Sequence, residues 1–171
     1  MIGARAARAA LTSVVALSLW LGAALVVGAV VAPAAFAVLP TRTLAGALVG
    51  RVLPTLFWSG AIVGLLVAAL GRRSASSRAR TVLGLAMTVA CLGAQLLVAP
   101  RIARVRADVP VPIDRLARQD ARRVAFGRLH AASVALLGVA GLCGGVALFF
   151  TMRALTASGV RHEAPHPLHE P

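Results

Sequence analysis

Lysine and tyrosine are absent from this chain of 171 residues, and acids number only five against eighteen basic residues, all of them arginine. Charged residues make up 13% of the chain, about half the share of a soluble domain. The five acids (Asp108, Asp114, Asp120, Glu163 and Glu170) all fall outside the long apolar runs. Proton-coupled pumps commonly place carboxylates inside the membrane. That mechanism would here rest on His130 alone. No Ser-His-Asp or paired-carboxylate set is assembled, so the chain is not expected to be an enzyme. The two cysteines, Cys91 and Cys143, lie in apolar runs with no CxxC partner, and buried free cysteine behaves as a small hydrophobe. There is no Gly-rich phosphate loop and no nucleic-acid-binding module. Neither a cofactor nor a nucleic-acid partner is expected.

What is present is apolar. Hydrophobic residues account for 59% of the chain and the mean hydropathy is +0.86. Charge is segregated into short segments between long uncharged runs, the pattern of a chain solvated partly by lipid. The net charge of +13 comes from arginines that flank these runs. There they act as topology signals and as anchors for anionic lipid headgroups.

The stretch from Val27 to Pro54 organises the rest. It reads as the end of one membrane helix, a tight turn at Leu39-Pro40-Thr41, and the start of the next. The first span covers about 10–39, after a basic leader carrying Arg5 and Arg8. A cleaved secretory signal would share that start, and Ala35-Phe36-Ala37 fits a small-residue cleavage site. The uncharged run is longer than a signal core and reaches the ~20 residues a span needs. A retained helix kinked near Pro33 is therefore the reading adopted. The second span, about 43–70, is expected to be interrupted at Pro54 about a third of the way along, and it carries the pairs Gly46/Gly50 and Gly60/Gly64. Small residues one turn apart let helices approach closely in lipid. A polar loop with Arg72, Arg73, Arg78 and Arg80 leads to the third span, about 81–99, which holds Gln95 and ends at Pro100.

The third loop begins extended at Val109-Pro110-Val111-Pro112, because proline disfavours the α region in its predecessor. Asp114 is placed to N-cap a helix and to pair with Arg118 one turn on. That helix is expected to run unbroken into the fourth span, about 124–155, where Gly141 and Gly145 supply a close-packing face. Residues 156–171 read as a disordered tail. Within it His162, His166 and His169 have spacings able to take a soft divalent metal. Each hairpin has proline near one end, as the halves of an inverted repeat would, but the residue match is too thin to establish one.

Four spans put both termini and the second loop on one side, with eight arginines there and ten on the other. The tally is nearly tied, and the first helix leans towards an inside N-terminus. The polar residues at depth are Arg51, Gln95, Arg128 and His130. Gln95 lies five residues before Pro100 and His130 five after Ala125. The four are therefore expected to converge near the end formed by the first and third loops. Cys143 would lie roughly 12 Å deeper than the level facing Cys91, too far for a disulfide. His130 has no second metal ligand at its depth. The cluster is open to two readings. One is structural, with arginines reaching headgroups and His130 bonded across helices. The other is a vestibule for an anion or small polar solute.

Three motifs carry a resemblance: Leu39-Pro40, Gly46 and Arg51-Val52-Leu53-Pro54; Pro100-Arg101; and Phe126-Gly127-Arg128-Leu129-His130 followed by Ser133. In this order on four spans, the chain resembles the transmembrane-protein-205-like family, also catalogued as domain of unknown function 4149. Family members are richer in aromatics, whereas here Phe57 and Trp58 follow Pro54. The resemblance implies a four-helix membrane protein without an established activity. Some relatives are linked to resistance to metal-containing drugs. It also implies that Arg51, Arg128 and His130 are shared features.

The expected fold is thus all-α: a four-helix transmembrane bundle of two membrane hairpins, with an extramembrane helical extension before the fourth span. Its expected role is that of a partner subunit or scaffold, self-associating or partnered through its glycine faces. The alternative is a component of a permease or exporter for small solutes or metal species.

Overall fold

The computed structural model describes residues 4–71, 77–109 and 111–160, with side chains omitted at 77 and 157–160. The described residues are almost wholly helical: α1 (Ala4–Val26), α2 (Ala32–Val38), α3 (Arg42–Gly71), α4 (Ser77–Leu92), α5 (Ala99–Ala107) and α6 (Ala121–Val160). A π-helical turn, Val27–Val31, joins α1 to α2 without a break, and another, Gly93–Val98, joins α4 to α5. Four continuous helices result, each long and apolar enough to cross a membrane.

The helices form a square. α1 packs on α3 and α6, and α4 packs on the same two. Large apolar side chains face outward on every span: Leu19 is 70% exposed, Ile62 67%, Val89 69% and Leu142 70%. Small residues fill the seams, with Ala61, Ala68, Ala90, Ala94, Ala140 and Ala147 buried. A soluble protein does the reverse. In lipid, where apolar burial gains nothing, close backbone approach through small residues is what holds helices together.

Both π turns sit just before a proline. Pro33 and Pro100 each occupy the first turn of the α-helix that follows. A helical proline lacks an N–H and crowds the carbonyl four residues back. The chain answers with one wide turn: the Ala32 N–H donates to the Val27 carbonyl and the Ala99 N–H to the Ala94 carbonyl, five residues back in each case. Where a kink near Pro33 was expected, the chain forms a π turn. Val31-Ala32-Pro33 and Val98-Ala99-Pro100 match in sequence, as do Gly50-Arg51 and Gly127-Arg128. Spans one and three run the same way, so any repeat relation between the hairpins is parallel rather than inverted.

Three local expectations are corrected. α3 passes through Pro54 without interruption. Among its described residues the third loop forms only a 3-10 turn at Ile113–Arg115, and α6 starts at Ala121 rather than near Asp114. The reason is Asp120, whose carboxylate accepts the Arg122 backbone N–H at 2.8 Å and caps the new helix. Asp114 instead accepts from the Thr43 hydroxyl at 3.3 Å, tying the loop to the start of α3, and makes no pair with Arg118. Finally, α6 stays helical through residues 156–160, where a disordered tail was expected. The tail histidines His162, His166 and His169 lie outside the described residues.

The first turn forms as expected. Leu39 is extended, with ψ of 142°, as a residue before proline must be. The Leu44 N–H donates to the Thr41 hydroxyl oxygen at 3.2 Å, which caps α3.

Candidate functional site

The polar residues singled out above do gather towards the end of the bundle that bears the first and third loops, but as separate surface groups. Arg51, Arg128 and His130 are exposed and Gln95 is half-buried on the π turn. No hydrogen bond or ion pair links any two of them among the described residues. Arg51 borders a shallow, almost wholly apolar groove of about 370 Å³, lined by Leu39, Leu44, Ala47 and Leu48. His130 stacks on Phe126 one turn earlier, with centroids 6.3 Å apart and planes 6° from parallel.

The residue that joins helices at this end is Arg106, on α5. Its guanidinium lies over the Phe126 ring, 5.3 Å from the centroid. Its two terminal nitrogens stand 3.5 and 3.8 Å from where Cβ atoms of Gly46 and Gly50 would be. The Gly46/Gly50 pair thus makes room for an arginine rather than for another helix backbone. In sequence Arg106 is one of many loop arginines. Only the juxtaposition with those glycines and Phe126 distinguishes it.

Two further arginines shape the loop. Arg123 donates to the carbonyls of Asp114 at 3.2 Å and Leu116 at 2.6 Å. Arg122 holds Asp120 through both carboxylate oxygens, at 3.1 and 2.9 Å. Hydrogen bonds from the Arg122 side chain and backbone push the Asp120 carboxyl down to about 2. No group of three or more metal-ligating side chains occurs among the described residues, and both cysteines are free.

The middle of the bundle is packed. The Trp20 indole N–H donates to the Leu56 carbonyl at 2.9 Å. Cβ positions at Gly60 would fall 2.7 Å from both that nitrogen and Cys91 Sγ, and at Gly64 2.7 Å from the Gly84 carbonyl oxygen. On α6 the packing glycine is Gly144, against Leu17, Leu21 and Met87. Gly141 and Gly145, expected to pack, have nothing within 4 Å, nor does Gly138.

A family model described as a domain of unknown function, DUF4149, matches residues 15–110, more than half of the chain. The chain belongs to the DUF4149 family. The match takes in most of the first span and all of the second and third, including the Leu39-Pro40 turn, Arg51 to Pro54 and Pro100-Arg101. The Phe126 to Ser133 motif lies beyond it. No curated protein and no solved structure matches this DUF4149 chain.

Proposed function

We propose that this DUF4149 protein is a multi-pass cell-membrane protein that acts without catalysis, as a subunit or scaffold that binds other membrane helices. The observation that supports it is the open glycine face of α6. Gly138, Gly141 and Gly145 recur at three and four residues, hence on one face, with nothing within 4 Å. The glycines at Gly60, Gly64, Gly84 and Gly144 are already occupied within the bundle. A second transmembrane helix, from another copy or another protein, fits the open face. The loop arginines at both ends then hold the bundle at anionic headgroups.

The test is Gly141→Leu in vesicles. Energy transfer between labelled copies, and recovery of cross-linked membrane partners, should fall while thermal unfolding of the single bundle stays within a degree or two. Unchanged association in both assays would refute this reading.

The second reading is a permease or exporter component for small solutes or metal species. It rests on Arg51, Gln95, Arg128 and His130 lying towards one end, and on the likeness to the transmembrane-protein-205-like proteins in their motifs. It requires a flux in reconstituted vesicles that Arg51→Ala and His130→Ala abolish with folding intact.

A further inference from the structure

Arg80 was expected in the polar second loop. Instead α4 begins at Ser77, and Arg80 lies inside it with only 6% of its surface exposed. It falls on the core stripe of that helix, in register with the buried Gly84, Met87, Cys91 and Ala94. Its Nε is fully enclosed and has no partner. Arg80 makes no hydrogen bond or ion pair with any described residue. An enclosed Nε in that condition is costly, because it has lost water and gained no acceptor.

The end of the bundle that holds Arg80 also holds the other buried polar side chains and exposed positive charge. Among the described residues just three polar side chains are buried: Ser13, Arg80 and Thr151. Arg80 and Thr151 lie at one level, and Ser13 lies roughly 4 Å deeper. A Cβ at Gly144 would be 3.5 Å from Met87 Sδ and 3.7 Å from Leu17 Cδ2. Arg80 and Thr151 are each seven residues from that contact, roughly 10 Å along their helices, and Ser13 is one turn from Leu17 on the same side. Ser13 and Thr151 spend their hydroxyl protons on the carbonyls of Ala9 and Ala147, at 2.9 and 2.7 Å. Arg5, Arg8, Arg78 and Arg153 stand exposed at this end. Among the described residues the acids, Asp108, Asp114 and Asp120, are all at the other end.

We infer that Arg80 is the centre of a phosphate-binding site at the end of the bundle where α1 and α4 begin. Its planar fork matches two oxygens of a phosphate. The start of α4 adds first-turn backbone N–H groups, which have no acceptor within the helix, and the positive end of the helix dipole. The phosphate belongs either to a phospholipid headgroup or to a free ion, and both present the same oxygens. The competing explanation is that Arg80 serves the carbonyl end of α3, since a Cβ at Gly71 would be 3.4 Å from Arg80 Cβ.

The full chain, delipidated in non-ionic detergent, is melted with and without inorganic phosphate, short-chain phosphatidylglycerol or acetate. Wild type should gain roughly 5 °C at saturation with phosphatidylglycerol or phosphate, and much less with acetate. A gain with both phosphorus probes points to a free ion, and a gain with the lipid alone to a headgroup. Arg80→Met should lose the gain and melt at or above delipidated wild type, since it removes an enclosed donor that has no acceptor. Should Arg80→Met not fold, Arg80→Lys keeps the charge without the fork and should need on the order of tenfold more ligand. Native mass spectrometry should then show phosphate-bearing species kept by wild type and depleted from Arg80→Lys. The inference fails if neither phosphorus probe shifts wild type, if acetate does as well, or if the variants respond as wild type does.

Discussion

Trp20 lies in the space that Gly60 leaves empty, and from there its indole N–H reaches the Leu56 carbonyl at 2.9 Å. A Cβ at position 60 would sit 2.7 Å from the indole nitrogen and from Cys91 Sγ. Gly60→Ala should therefore cost about 1–3 kcal/mol, the usual range for overpacking. Thermal unfolding measures the cost. Trp20 emission, read in a Trp58→Phe background, should shift as the indole leaves its acceptor. An unchanged spectrum and melting point would mean that the seam between α1 and α3 is loose.

The glycine pairs separate by what faces them. Gly64→Ala drives a Cβ to 2.7 Å from the Gly84 carbonyl oxygen. Backbone yields less easily than a side chain, so this variant should be more destabilised than Gly60→Ala. Gly141→Ala meets nothing within 4 Å and should gain roughly 0.5–1 kcal/mol from the lost freedom of the unfolded chain. Melting the three variants side by side gives the ranking, and any other order contradicts this packing.

Arg106 over Phe126 is testable as a pair. A double-mutant cycle with Arg106→Ala and Phe126→Leu should return a coupling of about 0.5–1 kcal/mol, the range for an exposed cation over an aromatic face. Additive losses would show that the guanidinium is held by the Gly46/Gly50 cleft alone.

Asp120 sets a pH dependence at the start of α6. Its carboxyl titrates at about 2 in the folded chain, against about 4 when unfolded. A depressed folded value stabilises the ionised, capped state. That contribution is complete above pH about 4 and is lost as pH falls towards about 2. A carboxyl-carbon chemical-shift titration should place the Asp120 midpoint near 2, rising towards about 4 in Arg122→Ala. A midpoint near 4 in the wild-type chain would mean that the cap does not form in solution.

The four spans were legible because hydrophobic length alone announces them. The Leu39-Pro40-Thr41 turn was legible because proline dictates its predecessor's backbone. Arg80 was not, because the sequence presents it as one arginine among four in a polar segment; its burial depends on α4 starting at Ser77, four residues before the expected span. Nor could spacing tell Gly141 and Gly145, which face outward, from Gly144, which faces Met87. That choice depends on the rotation of α6, and a glycine-rich helix has a pattern too uniform to reveal it. Arg51, Gln95, Arg128 and His130 were placed by depth, and depth does not say which way around the helix a side chain points.

The wide turns before Pro33 and Pro100 amount to one surplus residue apiece, since a π turn spends an extra position on the same rise. They are therefore the places where this chain can lose a residue and keep its register, although Pro33 or Pro100 would again crowd the carbonyl four residues back. Removing a residue from Val27–Val31 or Gly93–Val98 would leave an ordinary α-helix, with the segments on either side still facing their neighbours. A deletion one turn away would swing everything beyond it by about 100° around the axis, turning Leu19 or Val89 inward and alanines out to lipid. Length variation among related chains should collect at these two turns, and insertions elsewhere in the spans should be rare.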